Sequence, residues 1–158
     1  MRVRTGPCED AAVAADVDAE VLRTVTVFST CTPEQLQRLV EAASTAQHSP
    51  GDPLTEEGVM GHRFHLVLEG EARAERQGRV VGTVGRGEFV GEIGLLGGGA
   101  ATATVRCTAP TRCLELRRER FWELLESEPA IALRILEVVC RRLVQELGTS
   151  PTLNLSGQ

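Results

Sequence analysis

Between Glu88 and Val105 the chain reads EFVGEIGLLGGGAATATV. A Gly-Glu pair, Gly91 and Glu92, opens a short apolar segment, followed by three glycines, small residues and two threonines. Exposed backbone N–H groups with little side-chain bulk are how a chain receives an anion. A carboxylate in an apolar segment needs a partner, and a ribose hydroxyl or a neighbouring arginine would serve Glu92. No Arg or Lys lies between Glu88 and Val105, so the segment carries no counter-charge of its own. Plainer roles exist for the same residues. Gly97–Gly99 suits a surface turn, Gly91 suits a backbone conformation open to glycine, and Thr102 and Thr104 suit a strand by propensity.

Elsewhere the chemistry is sparse. No nucleophile stands beside a base, so neither catalysis nor a cofactor is expected. His62 and His65 are three apart in or beside a strand, which points them to opposite faces and argues against a metal pair. Five cysteines, Cys8, Cys31, Cys107, Cys113 and Cys140, make an odd count without Cys-x-x-Cys spacing. They read as reduced thiols of a cytoplasmic protein.

The 158 residues suffice for one domain with one core. Hydrophobic content is 42%, charged content 25% and formal net charge −5, with arginine as the only strong base. An acidic domain is not built to hold nucleic acid or an anionic membrane by charge. No apolar run approaches the roughly 20 residues of a membrane span, and the first residues lack the apolar stretch of a secretory signal.

These candidates need elements to position them. Residues 1–17 are Ala- and Asp-rich and are expected to be flexible. Val21, Leu22, Val25 and Phe28 are spaced for a short helix. In TPEQLQRLVEAAS, Thr32 is the N-cap, Pro33 opens the helix, and Leu36, Leu39 and Val40 form its apolar stripe. A short strand at Leu54 follows, then strand-like runs at 64–68, 72–76 and 79–84, parted by Glu69-Gly70 and Gln77-Gly78. TATVRCTAPTRCLELR reads as a hairpin bent at Ala109-Pro110. Helices close the domain. One carries Phe121, Leu124 and Leu125, and the other, starting at Pro129, is expected to bury Ile131, Ile135, Val138, Val139 and Leu143 or neighbours. Gly148 and Pro151 stop it, and 148–158 reads as a flexible tail. The fold class is mainly β with flanking helices: an antiparallel barrel or jelly roll between short N-terminal helices and C-terminal helices.

From about Glu20 to Leu147 the chain resembles the cyclic nucleotide-binding domain family. VFSTCTPEQLQRLV is similar to its entry helices, PGDPLTEEG to its first strand pair and FHLVLEGEARA to its central hairpin. VGRGEFVGEIGLLGGGAATATVRC is similar to the strand leading into its phosphate-binding cassette, and RCLELRRERFWELLESEPAIALRILEVVCRRL to its last strand and closing helices. The resemblance implies a ligand site along Phe89, Val90, Gly91, Glu92, Ile93, Gly94 and Leu95, continuing through Ala101, Thr102, Ala103 and Thr104. Glu92 would accept from the ribose 2′-hydroxyl. The N–H groups around Ile93, Gly94 and Leu95 would start a short cassette helix whose positive end faces the cyclic phosphate, and Thr102 would offer a further contact. Where the family carries its phosphate-pairing arginine, this chain has Ala101. The resemblance also implies a homodimer through the C-terminal helix. A helix-turn-helix output is not expected in the eleven residues GTSPTLNLSGQ, although an output domain or partner protein fits the family.

A charge-assisted hydrogen bond is worth about 1.5–3 kcal/mol and breaking one side of a buried pair costs about 3–5. The alanine should therefore weaken a cyclic phosphate by about ten-fold to a few thousand-fold. Arg106 lies five residues beyond Ala101, roughly 16 Å along a strand, too far to substitute. Arg134, Arg141 and Arg142 on the closing helix are nearer candidates. Their plainer reading is solvated helix residues beside Glu137 and Glu146. Three functions stay open: a sensor of a cyclic purine or pyrimidine nucleotide, a pocket for an uncharged nucleoside, and a pseudo-receptor serving as a dimerisation or docking module.

Overall fold

Thr32 starts the first full helix as its sequence predicts. Its hydroxyl accepts from the Gln35 N–H at 3.3 Å while the Gln35 side chain takes the Thr32 N–H at 2.9 Å, a reciprocal capping box. In the computed structural model, which describes residues 17–147, this is α2 (Pro33–Ala42), and it buries Leu36, Leu39 and Val40. The terminal segments expected at 1–17 and 148–158, and the helix stop at Gly148 and Pro151, lie outside the described residues apart from Val17. Ahead of α2, the expected single helix is two pieces, α1 (Ala19–Arg23) and a 3₁₀ turn (Thr26–Phe28). The break lets Leu22, Val25 and Phe28 all point inward and leaves Val21 44% exposed.

Eight strands follow: β1 (Ser44–His48), β2 (Pro53–Thr55), β3 (Arg63–Glu69), β4 (Glu71–Arg76), β5 (Arg79–Gly85), β6 (Phe89–Val90), β7 (Thr104–Cys107) and β8 (Thr111–Arg117). They form two antiparallel four-stranded sheets, β1-β8-β3-β6 and β2-β7-β4-β5. The result is a roll of two facing sheets and not a closed barrel. Between the sheets pack Leu54, Val67, Ala72, Val84, Val90, Val105, Cys107 and Cys113.

One strand lies beyond those expected from the sequence: STAQH has no apolar alternation, yet it pairs with β8 from Ser44 opposite Glu115 to His48 opposite Thr111. β7 and β8 do not form the expected hairpin. They belong to different sheets, and Ala109-Pro110 carries the chain across. The crossing is anchored on Glu71, whose carbonyl accepts from the Thr108 N–H at 2.9 Å and the Thr111 hydroxyl at 3.3 Å.

The helices cover the other face of the β1-β8-β3-β6 sheet. Phe64 on β3 stacks between Phe89 on β6 and Phe121 on α4 (Arg118–Ser127), each ring centroid 5.1 Å away. On α5 (Pro129–Leu147), Ile131 and Ile135 are buried and Val138 and Val139 pack partly against the core. Leu143 does not, being 53% exposed. The inward stripe 131, 135, 138 continues by helical spacing to Arg142.

Candidate functional site

β6 ends at Val90, and Gly91 turns the chain into the short helix α3 (Glu92–Leu96). Gly91 has φ +95°, and a Cβ there would collide with the Arg63 carbonyl oxygen on β3. Only glycine meets both demands. The turn delivers Glu92 to the wall of a cavity of about 560 Å³ between the α3 segment, the β2-β7-β4-β5 sheet and the end of α5. That size lies within the usual range for small-molecule sites, about 300–1,000 Å³.

Eight of the eleven candidate residues line this cavity: Val90, Gly91, Glu92, Ile93, Gly94, Ala101, Thr102 and Ala103. Ile93 and Gly94 lie in the first turn of α3, where N–H groups have no carbonyl within the helix to meet. The other three are placed elsewhere. Phe89 sits in the aromatic stack. Leu95 is fully buried, with its N–H bonded to the Gly91 carbonyl at 3.3 Å. The Thr104 hydroxyl accepts from the Glu57 N–H at 3.0 Å. Backbone bonds also fix the segment at the alanine, where the Ala101 N–H meets Val59 O and the Ala101 carbonyl takes the Gly58 N–H, both at 2.9 Å.

Glu92 has an arginine for its partner. Arg142 Nη1 lies 2.6 Å from Glu92 Oε1, and its Nη2 donates to the Phe89 carbonyl at 2.5 Å. The guanidinium carbon stands 4.7 Å from the Phe89 ring centroid. The Glu92 side chain is 2% exposed and that of Arg142 28%. Burial pushes the Glu92 carboxyl above its usual range, and the Arg142 charge offsets part of that rise. Arg142 is therefore no solvated helix residue beside Glu146. Arg134 is, pairing with Glu137 one turn away at 3.0 Å.

A second cation at the cavity had no signal in the sequence. Arg76, at the end of β4, donates from Nε to the Thr102 carbonyl at 2.9 Å and pairs through Nη2 with Glu146 at 3.0 Å. It is 26 residues from Thr102, and only the β4–β7 pairing, with Glu75 opposite Thr104, brings them together. Arg142 did have a signal, as the next member of the stripe Ile131, Ile135, Val138. Two ion pairs thus tie α5 to the cavity, Arg142 to Glu92 and Glu146 to Arg76.

The family model for the cyclic nucleotide-binding domain matches residues 46–128, from β1 to the end of α4. Among relatives, the cAMP-dependent protein kinase regulatory subunit of Hypocrea atroviridis is 33% identical over 104 residues, which is 66% of this chain and 22% of that protein. The chain spans less than two thirds of the length of the curated relatives it matches. Among solved structures, the Thermus thermophilus catabolite activator protein superposes with a TM-score of 0.70 at 27% identity, covering 76% of this chain and 59% of that one. The N-terminal domain of a transcriptional regulator from Streptomyces coelicolor A3(2) does so with a TM-score of 0.63 at 30% identity, covering 80% and 94%.

Proposed function

Because the chain belongs to the cyclic nucleotide-binding domain family, we propose that it is a non-enzymatic regulatory module that senses a cyclic nucleotide in the cavity beside Glu92. Glu92 carries the reading. It is a buried carboxylate on the cavity wall, and Arg142 donates to its Oε1. A carboxylate accepts at both oxygens, so a ribose 2′-hydroxyl donates to Oε2 while Arg142 keeps its place. The cyclic phosphate then faces the first-turn N–H groups of Ile93 and Gly94 and the Thr102 hydroxyl. Arg142 and Arg76 supply the positive charge that position 101 does not.

The same contacts suggest the readout. A ligand that binds Oε2 with Arg142 still on Oε1 favours the arrangement in which α5 is held, and so shifts the helix toward its held position. The partner on the outer face of α5 is a second copy of the chain, and an output domain or partner protein receives the signal.

One observation favours an uncharged nucleoside as a second reading. The cavity is lined by three glutamates, Glu88, Glu92 and Glu146, against two arginines. Ala101→Arg separates the readings by calorimetric titration. For a cyclic nucleotide site it strengthens binding by about ten-fold to a thousand-fold and leaves nucleoside binding unchanged. Nucleoside binding alone, with no gain for the cyclic nucleotide, supports the second reading. Binding of neither class, in either protein, identifies a docking module without a ligand.

A further inference from the structure

On the inner face of the β1-β8-β3-β6 sheet, among residues that do not line the cavity, four side chains of metal-binding type converge. Cys113 and Glu115 are two apart on β8 and so share a face. His65 on β3 lies directly across from Glu115, and Ala46 on β1 leaves room opposite Cys113. His48, at the end of β1, reaches over the same face. One carboxylate oxygen, Glu115 Oε2, meets both His65 Nδ1 and His48 Nε2, each at 2.8 Å. The other, Oε1, is held by Arg63 Nη1 at 3.2 Å. The two rings meet edge to face with centroids 6.2 Å apart. One ligand atom from each of His48, His65, Cys113 and Glu115 lies within 4.8 Å of all the others.

We propose that these four residues form a structural site for a zinc-class divalent cation, joining β1, β3 and β8. Two imidazole nitrogens, a thiolate and a carboxylate are a donor set that suits zinc. Bonds of about 2.0–2.3 Å to one ion set ligand atoms roughly 3.3–3.8 Å apart, so the two 2.8 Å imidazole–carboxylate contacts must open and the wider ones close by about an ångström. The ion takes the place of the hydrogen bonds between the imidazoles and Glu115 Oε2: each ring keeps one proton, on the nitrogen away from the ion, the Cys113 thiol gives its proton to solvent, and the thiolate and carboxylate neutralise the ion's two charges. Arg63 on Oε1 orients the carboxylate from outside the ligand set. His48, with a side chain 19% exposed against 7% for His65 and 2% for Glu115, is the solvent side of the site.

The test is a cobalt(II) titration of the reduced, chelator-treated full chain with Cys8 and Cys140 changed to serine. One equivalent should produce a near-ultraviolet thiolate-to-cobalt charge-transfer band with the strong visible bands of four-coordinate cobalt, and zinc(II) should displace it. Cys113→Ser should abolish the charge-transfer band. His48→Gln, at the part-exposed end of an edge strand, should weaken cobalt binding at least about ten-fold in a chain shown to be folded by circular dichroism. Absence of the charge-transfer band from the folded parent overturns the proposal. So does cobalt affinity that is unchanged in folded His48→Gln.

Discussion

At the residue scale, the decisive contact is Arg142 on Glu92. With Arg142 gone, Glu92 would keep its burial and lose its counter-charge. Arg142→Met should destabilise the chain by about 2–4 kcal/mol at neutral pH, and adding Glu92→Gln should recover most of that, both read by urea unfolding. The pH dependence has a definite sign. The folded state holds the Glu92 proton more tightly than the unfolded chain does, so the burden of this carboxylate fades as pH falls through its raised pKa. The Arg142→Met deficit should shrink over the same range. From the sequence, the need of Glu92 for a partner was legible, and an arginine was one of the two partners it allowed. Which arginine was not, because that depends on how α5 lies over β6. Arg76 left no trace at all, its role arising from strand pairing across 26 residues.

At the element scale, α5 has two faces. Ile131, Ile135 and Val138 turn toward the core and lead to Arg142, while Leu133, Leu136, Cys140, Leu143 and Leu147 are exposed. The exposed set has spacings of three, four, three and four, the a/d pattern of a two-helix seam. This is the observation that supports a second copy as the partner of α5. Leu136→Glu should convert a dimer to a monomer in sedimentation velocity with the far-ultraviolet circular dichroism preserved, and a wild-type chain sedimenting as a monomer would contradict the seam. The sequence left the last inward position open between Leu143 and its neighbours, and the helical phase gives it to Arg142 and leaves Leu143 exposed. The lost strand β1 and the false β7–β8 hairpin share an origin. STAQH is recognisable as a strand only by its pairing with β8, and a Pro-containing bend between two strands looks the same whether the chain stays in one sheet or crosses to another.

At the scale of the whole molecule, the order of elements was legible because each is punctuated locally, by the Thr32 cap, by Gly-containing turns and by Pro129 at the start of α5. The facing of the two sheets, and the cavity between the α3 segment, one sheet and α5, are products of long-range pairing. Sensing requires that cavity to accept a ligand, and the direct measurement is thermal unfolding of the intact chain with a panel of cyclic purine and pyrimidine nucleotides and the matching nucleosides, each at about 1 mM. A ligand confined to the folded state raises stability by RT ln(1 + [L]/Kd). The prediction is a rise in Tm of about 2–8 °C with at least one cyclic nucleotide, absent in Glu92→Gln. No shift with any cyclic nucleotide, or a shift that Glu92→Gln leaves intact, would contradict it.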